Sequence, residues 1–159
     1  MNITARLKQT LEVCDIHRER LEFATRELGP RFPLTVNTLL TLSGKEIAVL
    51  DQMVFRFGKL QDTMGSKLFV QILEFLGEDY QSRPFLDVLT RLEKLELLAD
   101  TNEWMRFREI RNDLAHEYPS QNEEKAAGLN NVFESTPKLV DVYKKMKEYI
   151  TQRLDAHAS

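Results

Sequence analysis

One cysteine, Cys14, stands in the whole chain, so no disulfide can form within it, and a zinc site built on four cysteines is excluded. Such cysteine usage fits a reducing compartment. Glycine and proline are scarce, six and five residues respectively. A charged, leucine-rich chain with so few breaks favours long helices over the many turns of a β fold. No run of about 18 apolar residues occurs, so no transmembrane helix is expected. The opening stretch, Met1 to Lys8, lacks the apolar centre of a secretory signal. These absences together predict a cytoplasmic protein. There is also no excess of positive charge: the net charge is −3 and the isoelectric point about 5.7. General adsorption to nucleic acid is therefore disfavoured, and any dealing with RNA must use a local basic site. Glycine-rich phosphate loops, the Gly-x-Ser-x-Gly elbow and paired metal-ligand histidines are all missing.

What is present is a pattern of helices. The 159 residues suit one domain over 1–159, and no repeat or shift in composition divides it. The spacing predicts an all-α, up-down bundle of about five to six helices. The first runs over 3–28, with Ile3, Leu7, Leu11, Cys14, Leu21 and Leu28 on one seam, and Gly29-Pro30 ends it. The stretch 31–42 reads as a loop, with room for a short turn. A second helical region, 43–76, carries Ile47, Leu50, Val54, Phe57, Met64, Leu68, Ile72 and Phe75 on a stripe. Gly58 and Gly65 make a kink or break possible within it. A third helix, 84–98, starts on Pro84. A fourth starts after Asp100 or Thr101, either able to cap it, and is stopped by Pro119. Ser120 to Glu123 reads as a capping box for a fifth. Thr136-Pro137 either starts a sixth or kinks the fifth. Residues 156–159 read as a frayed tail.

Three histidines hold the near-neutral proton chemistry. His17 sits among Arg18, Glu19 and Arg20, and reads as an ordinary exposed helix-face residue. His157 lies in the tail. His116 alone stands beside a candidate phosphate-binding cation, in the segment Arg111-Asn112-Asp113-Leu114-Ala115-His116-Glu117-Tyr118. Its ordinary pKa near 6.5 suits proton transfer. On a straight helix, Asn112 and His116 share a face, whereas Arg111 and His116 diverge by about 140°. Either the break at Pro119 turns His116 toward Arg111, or a second chain completes the site across a two-fold axis. A purely structural role is the competing reading. In that reading Arg111 pairs with Asp113, Glu109 or Glu117, and His116 complements the helix dipole.

The same residues resemble a known family. Arg111, His116 and Tyr118 reproduce the Arg-x4-His-x-Tyr pattern of HepT-like proteins in the HEPN superfamily, with a polar residue, Asn112, after the arginine. The tract Phe55-Arg56-Phe57-Gly58-Lys59-Leu60-Gln61-Asp62 and Trp104 also look like that family, and the similarity spans about 51–149. The resemblance implies a homodimer with two motifs facing one cleft. It also implies a metal-independent endoribonuclease toxin, cofactor-free, acting on an RNA substrate. Its antitoxin would be a minimal nucleotidyltransferase of the MNT type, which silences it by transferring AMP to Tyr118. The alternative that the resemblance carries is a non-catalytic partner subunit of a nucleotidyltransferase. Arg111 and His116 are then the expected catalytic residues and Asn112 a supporting one. Arg106 and Arg108 are candidate contacts to the RNA backbone. Asp113 and Glu117 depart from a purely basic site and weaken its pull on phosphate.

Overall fold

Asn2 opens the first helix, α1 (Ile3–Leu28), by accepting the Ala5 amide at 2.8 Å. The computed structural model describes residues 1–114 and 122–158 of the chain. Within them the fold is an all-helical bundle, with no strand. After α1 come a single 3-10 turn (Gly29–Arg31) and a short α2 (Val36–Leu40) capped by Thr35. The region expected to be loop with a turn thus includes five residues of helix. Ser43 and Glu46 form a reciprocal capping box at the start of α3 (Gly44–Thr63). Arg31 reaches the same Glu46 at 2.6 Å, and together these contacts draw the Glu46 carboxyl down to about 2.

The second helical region runs without interruption, but not uniformly. Met64–Leu68 is a π segment joining α3 to α4 (Phe69–Phe75), the local widening that one extra residue per turn produces. Gly77, at φ 87°, closes it in the left-handed conformation that glycine adopts freely. Then α5 (Phe85–Lys94) follows directly on Pro84. Next comes α6 (Thr101–Leu114). Asp100 opens α6, its side chain accepting from the Asn102 amide at 2.8 Å. Thr101 instead turns its hydroxyl and amide to Glu93.

The last helix, α7 (Asn122–Ala158), continues through Pro137. Of the two sequence readings at Thr136-Pro137, a new helix is not formed: the proline lies inside one helix. The Thr136 hydroxyl donates to the Val132 carbonyl four residues back, as an interior helix residue does. Counted with α3 and α4 as one continuous rod, six helices make the bundle among the described residues.

The core follows the seams. Leu7, Cys14 and Leu21 of α1, Phe57, Met64, Leu68 and Ile72 of α3–α4, and Leu139, Tyr143, Met146 and Ile150 of α7 are buried together. Pairing of Arg6 with Glu74 and of His17 with Arg56 shows that α1 runs antiparallel to the α3–α4 rod. Tyr143 ties α1 to α7: its buried hydroxyl lies 2.7 Å from an Asp15 carboxylate oxygen and 3.0 Å from the Leu11 carbonyl. Burial, then the Asp15 carboxylate, pushes its pKa far up. Lys147 holds the other Asp15 oxygen at 2.8 Å. Cys14 is buried and its thiol is pushed up to about 12 by desolvation, so it is an inert core residue.

Candidate functional site

Helix α6 lies against the α3–π rod through two glycines. Gly65 and Gly58 are seven residues apart, and so are their partners Trp104 and Arg111. Because the helices run antiparallel, Gly65 meets Trp104 and Gly58 meets Arg111. A Cβ at Gly65 would stand 3.4 Å from the Trp104 ring and 3.6 Å from Phe85. One at Gly58 would stand 3.6 Å from Cγ of Arg111. The absent side chains let α6 approach closely, and the seven-residue spacing keeps both contacts on one face of each helix.

The Trp104 end is sealed. The indole is fully buried, 4.5 Å from the Phe69 ring centroid and 5.8 Å from that of Phe107, edge to face. Its Nε1–H finds no acceptor among the described residues. From this anchor the helix carries Arg111 outward to a surface position.

Arg111 lays its aliphatic stem across Gly58 and reaches Asp62, one turn further along α3. The Nη2–Oδ2 distance is 2.6 Å, with the two side chains 44% and 39% exposed. The second terminal nitrogen, Nη1, has the Asn112 amide oxygen at 3.5 Å, the outer limit of a hydrogen bond. The pair therefore fixes the direction of the guanidinium while leaving it open to solvent. Arg111 does not bridge to Asp113 or Glu109, the neighbours on its own helix. Its partner comes from 49 residues away.

Asp62 is the residue that sequence reasoning left without a role. A signal was there: Gly58 and Asp62 are four apart on a helix, so a side chain crossing the glycine meets the carboxylate. Only the approach of α6 identifies which side chain that is. Arg106 and Arg108 are both exposed, but two residues on a helix are turned about 200° from each other, so they do not line one track on α6. Arg108 sits over the Phe85 ring, 4.9 Å from its centroid, toward α5. Asn112 is exposed beside Arg111.

His116 and Tyr118, with Ala115, Glu117, Pro119, Ser120 and Gln121, lie outside the described residues. The helix before them ends at Leu114, whose Cδ2 is 3.6 Å from where a Gly128 Cβ would be, near the start of α7. His17 differs from its sequence expectation. It is half-buried, because α3 packs on α1 and brings Arg56 Nη1 to 2.9 Å from its Nδ1. Burial, followed by the charges of Arg56, Lys59 and Arg20, holds its pKa below the usual histidine value. Among the described residues, no three His, Cys, Asp or Glu side chains are grouped to hold a metal ion, and no helix is long and apolar enough to cross a membrane.

No family model, no curated protein and no solved structure matches the chain. The functional reading accordingly rests on the residues themselves.

Proposed function

We propose that the chain is a HepT-like, metal-independent endoribonuclease of a toxin–antitoxin pair, with Arg111 and His116 as its catalytic residues. The observation that carries this is the placement of Arg111. A guanidinium seated on Gly58, oriented by Asp62 and open to solvent at the end of α6, stands five residues before His116 in the sequence. Arginine in such a setting grips a phosphate through two parallel hydrogen bonds. RNA cleavage then needs a base to take the 2′-hydroxyl proton as that oxygen attacks phosphorus, and an acid to protonate the departing 5′-oxygen. Arg111 stabilises the charge that builds on phosphorus between those steps.

One histidine cannot be base and acid at the same instant, whereas two chains bring two. A homodimer that joins the Arg111–His116 segments in one cleft supplies both. In this reading an MNT-type nucleotidyltransferase silences the protein by moving AMP from ATP to the Tyr118 hydroxyl, with release of pyrophosphate. The attached phosphate then competes for Arg111, and the adenosine fills the cleft.

The decisive experiment expresses the chain alone and assays RNA cleavage with wild type, His116→Ala and Arg111→Ala. Loss of activity by two to four orders of magnitude in each, with helical content unchanged, is expected. Full cleavage by a folded His116→Ala protein ends the enzymatic reading. Intact mass after co-expression with a partner nucleotidyltransferase checks Tyr118, where Tyr118→Phe should stay unmodified.

One observation favours a second reading, a non-catalytic partner subunit of a nucleotidyltransferase: Asp62 already occupies the guanidinium that a phosphate would need. The two readings part on Asp62→Ala. Freed of its competitor, Arg111 should bind phosphate more tightly in the enzyme, whereas a partner subunit shows no cleavage with or without Asp62.

A further inference from the structure

About 100° around α3 from Gly58, starting at Lys59, four basic residues gather across the seam with α1. His17 and Arg20 come from α1, and Arg56 and Lys59 from α3. Arg56 Nη1 lies 2.9 Å from His17 Nδ1, so the imidazole accepts and the guanidinium keeps its full charge. Arg56 Nε is buried with no hydrogen-bond partner among the described residues. None of Arg20, Arg56 and Lys59 forms an ion pair among the described residues. In a chain of net charge −3, carboxylates to neutralise them are plentiful elsewhere. A cluster of cations held together without counter-charge disfavours folding unless something anionic binds there.

Aromatic rings are interleaved with these charges. Phe55 is 49% exposed, with Arg56 Cζ 5.1 Å and Lys59 Nζ 5.7 Å from its ring centroid. Phe23, three residues beyond Arg20, is 51% exposed. Phe55, Lys59 and Asp62 share one face of α3 within about 60°, and Lys59 is only about 4.5 Å along the helix axis from the residue that holds Arg111. The cluster and Arg111 thus belong to one continuous strip of surface.

We propose that this strip is a binding track for single-stranded nucleic acid, running from Arg20 and Phe23 over Phe55, Arg56 and Lys59 to Arg111. Open bases stack on exposed rings while cations follow the phosphates, a combination that tolerates any sequence. A folded polypeptide fits less well, and a second copy least: a two-fold contact through the strip would set the cations of one copy against those of the other. Val13 and Ile16, exposed on the α1 side, are what such a copy would otherwise cover. The choice of RNA as the strand rests on the ribonuclease reading above. Binding itself does not.

The test measures anisotropy of a labelled single-stranded oligouridylate, long enough to span the strip, across a range of salt. The wild type, Arg20→Glu/Lys59→Glu and Phe55→Ala are compared, with circular dichroism confirming equal helicity. The charge-reversed protein should bind at least about tenfold more weakly, with the slope of log affinity against log salt shallower by about 1.4, roughly 0.7 per lost cation. Phe55→Ala should weaken binding by about tenfold with little change in slope, since a ring releases no counterions. Unchanged affinity and slope in both variants overturn the track, as does a wild type that binds no strand. Loss of self-association in light scattering with RNA affinity intact also overturns it, and marks the strip as an interface between copies. Cleavage of a dinucleotide by the wild type, a substrate too short to extend from Arg111 to Phe55 and Arg20, separately tests the ribonuclease reading. Binding without dinucleotide cleavage would leave the track standing and remove that reading.

Discussion

At Gly65, α6 sets down an indole; at Gly58, two turns away, it sets down a guanidinium. The backbone device is the same, a missing side chain that lets a neighbouring helix come close. The surroundings differ. Trp104 is sealed among Phe69, Phe107 and Phe85, where every apolar contact is gained from water. Arg111 lies 44% exposed against a 39% exposed carboxylate, where water screens most of the attraction. The first contact fixes where α6 sits. The second uses that placement to aim a charge, and contributes little stability of its own. Anchor and instrument are thus two ends of one helix face.

The largest effect follows from removing the anchor. Trp104→Ala should cost about 3–5 kcal/mol in urea unfolding, the range for deleting a buried aromatic. By contrast Arg111→Ala should cost under about 1 kcal/mol, because its ion pair is exposed. Similar losses for the two would mean that Trp104 and Arg111 anchor α6 equally.

Exchanging the glycines gives the next largest effect. Gly65→Leu drives atoms beyond Cβ into Trp104 and Phe85 and should cost about 1–3 kcal/mol by overpacking. At Gly58, Leu meets a flexible arginine stem with solvent beyond, so its stability cost should stay below about 1 kcal/mol. It should nevertheless push Arg111 off its seat and weaken phosphate binding, read by titration with inorganic phosphate. Thermal unfolding of both variants checks the ranking, and a reversed order would mean that the Gly58 contact is the tighter one.

A double-mutant cycle on Asp62→Ala and Arg111→Ala isolates the pair. A coupling of about 0.2–1 kcal/mol is expected, falling with added salt. A coupling insensitive to salt would show the pair to be shielded from water, contrary to its exposure. The smallest effect belongs to Gly58→Ala. Its Cβ would meet Arg111 at an ordinary contact distance, so the gain in helix propensity should add about 0.5–1 kcal/mol of stability. A loss in calorimetry would mean that the close approach of Arg111 has no tolerance even for a methyl group.

Much of this fold was legible from periodicity. The seams of α1 and α7 are set by apolar residues at helical spacing, which bury themselves against whatever lies opposite, so Leu7, Cys14, Tyr143 and Ile150 could be read as core without knowing their partners. The Ser43–Glu46 capping box lies outside that reading, and with it the start of α3 is fixed locally by two residues three positions apart. Pro137 shows the limit. Its sequence permits a new helix or a kink, and only packing of both flanks into one core carries a 37-residue helix through it.

The site divides in the same way. Arg111, His116 and Tyr118 could be picked out because their side chains carry chemistry in a short spacing, and chain order alone decides that. Asp62 and the pairing of His17 with Arg56 could not. Each depends on residues 39 or 49 positions apart meeting across a helix interface. The sequence by itself determined which faces are apolar, where helices start, and which groups can titrate or bind phosphate, since those are properties of residues and their near neighbours. Tertiary structure alone decided which glycine receives which side chain and which carboxylate restrains Arg111. It also decided that Arg20, Arg56 and Lys59 gather around a neutral His17 at one seam with no ion pair among the described residues. The physical reason is that a helix specifies its own faces to within a few residues, but the register between two helices is a property of both surfaces together.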